Sequence, residues 1–118
     1  MKKRIVVVER ERDILEIVTH ILTDRGFLVI PYQSEQGIFE NIVDIMPDVI
    51  LLDIVSVSEI GTELCRKIKK FKKTKHIPVI VLSTHTKAAD VKEICAEEVI
   101  SKPFDVDQLI SKVEEHVC

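Results

Sequence analysis

Val49-Ile50-Leu51-Leu52-Asp53 is four apolar residues without a break, closed by a carboxylate. A strand with one wet face alternates apolar and polar side chains. A continuous run suits a parallel strand covered on both faces. Two more runs of the same kind are Ile5–Val8 and Ile77–Leu82, and a shorter one is Val99–Ile100. Phe27–Tyr32, ending in Pro31-Tyr32, reads as a further strand. Between the runs the apolar period changes to that of a helix. Ile14, Ile17, Val18, Ile21 and Leu22 form one stripe, stopped at Gly26. Ile38, Ile42 and Ile45 form a second, with Ser34 as its expected N-cap and Pro47 beyond its end. Ile60, Leu64, Ile68 and Phe71 form a third, with Ser58 as its expected N-cap. A weaker helix is expected over Lys87–Cys95. Val106, Leu109, Ile110, Val113 and Val117 form the last, opened by Asp105 with Gln108 three residues on, a capping-box spacing. Strand and helix alternate with short connections, which predicts one α/β domain over residues 1–118 with a parallel sheet between helices.

Ligands of an open α/β sheet bind beyond the carboxyl ends of its strands. The residues that close each run are therefore the informative ones. Strand one closes on Glu9-Arg10-Glu11, strand three on Asp53, strand four on Ser83-Thr84 and strand five on Ser101-Lys102-Pro103. A carboxylate, a hydroxyl and a lysine thus meet at one rim. Asp53 can attack phosphorus, a lysine and a divalent cation would neutralise the transferring oxygens, and a hydroxyl can hold a phosphoryl oxygen. Any one of these residues alone reads as an ordinary polar strand end. Three on separate strand ends, at the same rim, form a phosphoryl-transfer set.

Four motifs then carry a resemblance. Ile50-Leu51-Leu52-Asp53 with Gly61 eight residues on is similar to the phosphoacceptor strand and loop of response-regulator receiver domains. Ile77-Pro78-Val79-Ile80-Val81-Leu82-Ser83 resembles their fourth strand with its switch hydroxyl. Ser101-Lys102-Pro103-Phe104 resembles their lysine-proline signature, and Lys3-Arg4-Ile5-Val6-Val7-Val8 with its acidic turn resembles their first strand. The resemblance covers the whole chain. It implies a doubly wound, flavodoxin-like sheet of five parallel strands in the order 2-1-3-4-5, flanked by five helices. It implies phosphorylation of Asp53 by a histidine kinase or phosphotransfer protein, with Ser83 and Lys102 on the phosphoryl oxygens. Magnesium would be held by Glu9, Asp53 and the backbone carbonyl of Val55. The domain would be a cytoplasmic signalling phosphoacceptor rather than an enzyme, at most catalysing its own phosphotransfer and dephosphorylation. Its partners would be the kinase and a downstream output protein or domain. The fourth helix, fifth strand and last helix would form its homodimer face.

The chain departs from the family pattern at several places. Receivers place two adjacent acids after strand one, and here the pair is Glu9-Arg10. Two carboxylates, Glu9 and Asp53, now face two cations, Arg10 and Lys102, so the site's net charge is zero. Magnesium is held through one or two carboxylates and water, so this exchange weakens it. Arg10 can either pair with Asp53 bidentately or reach into solvent, and Glu11 is a substitute ligand if the turn is shifted. Val99 replaces the aromatic switch residue, Thr84 the small residue after the switch hydroxyl, and Val57 the proline after the phosphoacceptor. The stretch from Asp90 to Lys102 is short, with Ala96-Glu97-Glu98 in place of the usual small-residue turn. These departures support an alternative, a degenerate receiver that binds partners without phosphorylation.

Other classes fit poorly. A flavin-binding or phosphatase-like domain needs a phosphate-cradling loop after strand one, and Glu9-Arg10-Glu11-Arg12-Asp13 would repel phosphate. Apolar residues make up 46% of the 118, and no run approaches the roughly 20 residues that cross a bilayer. Ile5–Val8 is too short for an export signal, which needs about 7–15 apolar residues. A net charge of −3 gives no general reason to expect nucleic acid or a membrane. The exception is Lys69-Lys70-Phe71-Lys72-Lys73-Thr74-Lys75-His76. It reads as solvated cations at a helix C-terminus or as an anion-binding patch. The three cysteines, Cys65, Cys95 and Cys118, show no ligand or pairing motif and are expected to be reduced. His20, His76, His85 and His116 lack metal-ligand spacing. A stand-alone receiver and a piece of a longer regulator both fit the chain.

Overall fold

A computed structural model describes residues 2–34, 36–53, 60–83, 96–101 and 104–117. Its strands are β1 (Arg4–Val8), β2 (Leu28–Tyr32), β3 (Val49–Asp53), β4 (Val79–Ser83) and β5 (Glu98–Ser101). Its helices are α1 (Arg12–Asp24), α2 (Ile38–Ile45), α3 (Ile60–Lys70) and α4 (Val106–His116). The strands form one parallel sheet in the order β2-β1-β3-β4-β5. Order and direction agree with the expectation from the sequence. Four helices stand among the described residues, one fewer than expected. The expected helix over Lys87–Cys95 lies outside the described residues, as do Val55, Val57, Ser58, Thr84, His85, Lys102, Pro103 and Cys118.

The sheet is buried on both faces because its central strands carry no polar break. In β1, Ile5 and Val7 face one layer while Val6 and Val8 face the other. Val49 and Leu51 likewise alternate with Ile50 and Leu52 in β3, and Ile80 and Leu82 with Val79 and Val81 in β4. One layer is closed by Leu15, Val18 and Leu22 of α1 with Leu109 and Val113 of α4. The other is closed by Ile38 and Ile42 of α2 with Leu64 and Ile68 of α3. Among the described residues, three of the expected stripes are exposed: Ile17 at 53%, Phe71 at 38% and Val106 at 43%. Phe71 stands just past the end of α3 and Val106 at the first position of α4.

The helix ends follow local chemistry. After α1 the Phe27 N–H donates to Leu22 O at 3.2 Å and the Gly26 N–H to Thr23 O at 3.0 Å. That double closure needs a left-handed residue, and Gly26 supplies it with φ 92°. Asp105 caps α4 by accepting from the Asp107 N–H at 3.1 Å. The expected cap of α2 is different. Ser34 Oγ accepts from the Gln36 N–H at 3.1 Å, which closes a turn before the helix. The helix itself starts at Ile38, after Gly37 in the left-handed region.

A second difference concerns the cysteines. Cys65, a residue of α3, is fully buried and is disulfide-bonded, which corrects the expectation of a reduced thiol. Its partner lies outside the described residues. A bond closed across the fold leaves no spacing signal along the chain, because only spatial proximity of the two Cβ atoms is required.

The short connection before β5 is held by a clamp. Lys69, at the end of α3, pairs with the Glu97 carboxylate. Its Nζ also donates to Ile77 O at 2.7 Å and to Lys75 O at 3.2 Å. Glu97 Oε2 accepts from the Val79 N–H at 3.1 Å. One carboxylate therefore ties α3, the entrance of β4 and the entrance of β5. Lys69 is only 18% exposed, so it is not part of a fully solvated face. Glu97→Ala strands a partly buried ammonium and a strand N–H, and is expected to cost about 1–3 kcal/mol. Urea unfolding, compared with the exposed Glu63→Ala, checks this.

Candidate functional site

Sheet register brings the rim residues together. Val8 pairs with Leu52, so Glu9 and Asp53 leave the sheet side by side. Asp53 itself pairs with Leu82, and Ser83 is the next residue of β4. Neighbouring strands lie roughly 4.8 Å apart, which places two carboxylates and a hydroxyl within one small pocket of the rim. Glu9, Asp53 and Ser83 are 0%, 5% and 1% exposed. Three buried polar side chains at the end of an otherwise apolar sheet are costly unless their partners are arranged around them. Ser83 in turn pairs with Ser101, the residue before Lys102, whose own placement lies outside the described residues.

Glu9 is held by the helix that follows it. Its Oε2 accepts from the Glu11 N–H at 3.0 Å, and Glu11 is the residue before α1. The positive end of the helix favours a carboxylate there. The Glu9 N–H donates to Tyr32 O at 2.9 Å, which extends the β1–β2 ladder into the site. The Glu11 side chain is exposed.

Arg10 turns toward Asp53. Its Nε stands 3.7 Å from Asp53 Oδ2, an ion pair rather than a hydrogen bond. The sequence left pairing and solvent exposure as equal alternatives, and the structure selects pairing. The Arg10 side chain remains 41% exposed, so the guanidinium covers the site from the solvent side. Gln33 Nε2 donates to Arg10 O at 3.5 Å, which holds the turn from the end of β2.

This arrangement does not fit magnesium as it stands. A divalent ion and a guanidinium compete for the same Asp53 carboxylate, and Arg10 stands where the family pattern has its second acid. Glu9 has one oxygen engaged by the helix. Among the described residues no cluster of three or more His, Cys, Asp or Glu is placed to hold a metal ion. The remaining expected ligand, the Val55 carbonyl, lies outside those residues. Val99 is partly buried against the α2–α3 layer and offers neither a ring nor a hydroxyl to follow Ser83.

The sheet order and the Glu9–Asp53–Ser83 rim define a doubly wound α/β domain with a buried acidic site at its switch point. The family model for the response regulator receiver domain matches residues 5–114, and the chain belongs to that family. It is 30% identical over 117 residues to the phosphate regulon transcriptional regulatory protein PhoB of Escherichia coli strain K12, covering 97% of this chain and 51% of that protein. The chain thus spans about half the length of the curated relatives it matches. The receiver domain of NtrX from Brucella abortus superposes with a TM-score of 0.83 at 30% identity, covering 96% of this chain and 97% of that one. A response regulator structure from Chloroflexus aurantiacus J-10-fl gives a TM-score of 0.90 at 21% identity over 99% of this chain and 98% of that one, a likeness of fold. Among the described residues no helix is long and apolar enough to cross a membrane.

Sequence reasoning found Glu9, Arg10, Asp53 and Ser83 as a group. It missed the Lys69–Glu97 clamp. The signal was present as an acidic pair, Glu97-Glu98, at the start of β5 in place of the usual small-residue turn.

Proposed function

We propose that this receiver domain accepts a phosphoryl group on Asp53 from a histidine kinase or phosphotransfer protein in the cytoplasm and passes the signal to an output protein or domain. The observation that supports this most is the convergence of buried Asp53 and Ser83 at one strand rim beside Glu9. An Asp53 carboxylate oxygen attacks the phosphorus of a phosphohistidine. The P–N bond breaks as the acyl phosphate forms, and the leaving imidazole keeps the bonding pair and takes a proton. The Ser83 hydroxyl donates to a phosphoryl oxygen. Lys102, the family's lysine, supplies positive charge to another. Arg10, displaced from the carboxylate by the incoming group, pairs with the same phosphoryl oxygens. The domain in this reading is a phosphoacceptor, not an enzyme acting on a separate substrate.

The Arg10–Asp53 ion pair favours a second reading. A guanidinium that neutralises Asp53 permanently would hold the fold in one state, and the domain would then act by binding alone. Incubation with phosphoramidate, with and without magnesium, separates the two. A mass gain of one phosphoryl group, abolished in Asp53→Asn, supports phosphotransfer. Arg10→Asp that gains the group while the native chain does not supports the binding module.

A further inference from the structure

The basic run after α3 remains unused by the Asp53 site. Seven of the 17 Lys and Arg residues fall between Arg66 and His76, with no acid among them. The rest of the chain then holds ten cations against 20 acids, a net of −10. So lopsided a distribution is a charge complement for an anionic partner. Lys69 is committed to Glu97. Arg66, Lys67, Lys70, Lys72, Lys73 and Lys75 are exposed. Among the described residues no carboxylate pairs with any of the six.

The patch has an apolar floor beside it. Phe71 is 38% exposed and meets Phe39 edge to face at 5.5 Å between ring centroids. Lys67 Nζ lies 4.7 Å over the Phe39 ring. The two rings and Val43 line a groove of about 330 Å³ between α2 and α3. Its far wall is acidic, with Glu40 and Asp44. The turn after α3 is anchored at its root: Thr74 is fully buried and donates to Ile68 O at 2.7 Å. Lys72, Lys73 and Lys75 project from this anchored turn, and Arg66, Lys67 and Lys70 from α3.

We propose that this surface docks an acidic segment of a partner polypeptide, with an apolar side chain of that segment seated between Phe39 and Phe71. Charge complementarity selects an anionic partner. The acidic wall selects a narrow one. A duplex carries a phosphate charge about every 1.7 Å over a broad face, and a membrane leaflet is broader still. Either would press Glu40 and Asp44 against like charge. A single chain lying along the α3–β4 turn meets the lysines and leaves those acids in water. The surface lies at the opposite rim from Asp53. The turn enters β4 at Val79, and Asp53 pairs with Leu82 about 10 Å along the strand. Docking is thus independent of the phosphoacceptor reading and persists in Asp53→Asn.

The test is fluorescence anisotropy with a labelled peptide of Glu-Glu-Leu repeats, beside a labelled DNA duplex and phosphatidylserine vesicles. The peptide is expected to bind native protein and Asp53→Asn equally. The triple reversal Lys70→Glu/Lys72→Glu/Lys73→Glu is expected to weaken it about tenfold or more. Phe71→Ser is expected to weaken it severalfold even at high salt, where charge is screened. All substituted side chains are exposed, and circular dichroism confirms the fold. No peptide binding, binding indifferent to these variants, tighter binding to duplex or vesicle, or self-association of the protein through the patch would overturn the proposal.

Discussion

An Arg10→Asp variant is expected to bind magnesium about ten- to a hundredfold more tightly than the native chain. The substitution removes the guanidinium 3.7 Å from Asp53 Oδ2 and places a third carboxylate beside Glu9 and Asp53. The site then changes by two units of charge. Close to a protein surface each unit at several ångström is worth a few kcal/mol at most. Arg10 is 41% exposed, so water screens much of that and the lower end of the range governs. Arg10→Ala, which removes the competitor without adding a ligand, is expected to fall between the two. The chain has no Trp, so titration calorimetry is the suitable readout. Equal affinity in all three proteins would mean that Arg10 does not compete with a cation at Asp53.

Leu52→Ala is expected to destabilise the domain by about 2–5 kcal/mol. Leu52 is fully buried, and it packs in the layer under α2 and α3 with Val8, Ile50 and Val81. Strands on both sides fix the backbone, so little of the cavity can collapse. Much of a small domain's total stability, about 5–15 kcal/mol, is then at stake. Leu52 also precedes Asp53 in β3, so on the proposed phosphoacceptor reading phosphoryl transfer to Asp53 is expected to fall even where the variant remains folded. Ile17→Ala removes a side chain of similar size that is 53% exposed, and is expected to stay within about 0.5 kcal/mol. Urea denaturation of both variants against the native chain gives the comparison, and equal effects would contradict the layer assignment.

The sheet was legible because burial on both faces writes itself into sequence as unbroken apolar runs. Val49–Leu52 and Ile5–Val8 needed no tertiary information to be read as central strands. Their closing residues then named the rim, since a parallel sheet puts all its carboxyl ends on one side. What the sequence left open depends on contacts between distant segments. The direction of the Arg10 side chain is set by Asp53, 43 residues away, and by Gln33, which holds its backbone. The Lys69–Glu97 clamp joins residues 28 apart, and the Cys65 disulfide closes through a partner that spacing does not mark. Ser34 closes a turn rather than capping α2, because a serine before an apolar stripe serves a turn and a helix start with equal ease. Its hydrogen bond to the Gln36 N–H decides between them.

The most direct test of phosphotransfer is chemical mapping of the acceptor. The native chain is treated with phosphoramidate, reduced with borohydride to convert an aspartyl phosphate to homoserine, then digested and sequenced by mass spectrometry. Homoserine at position 53, absent from Asp53→Asn, is the expected result. Homoserine at another acid, or unmodified Asp53 in the native chain and in Arg10→Asp alike, would contradict the assignment of Asp53 as the phosphoacceptor.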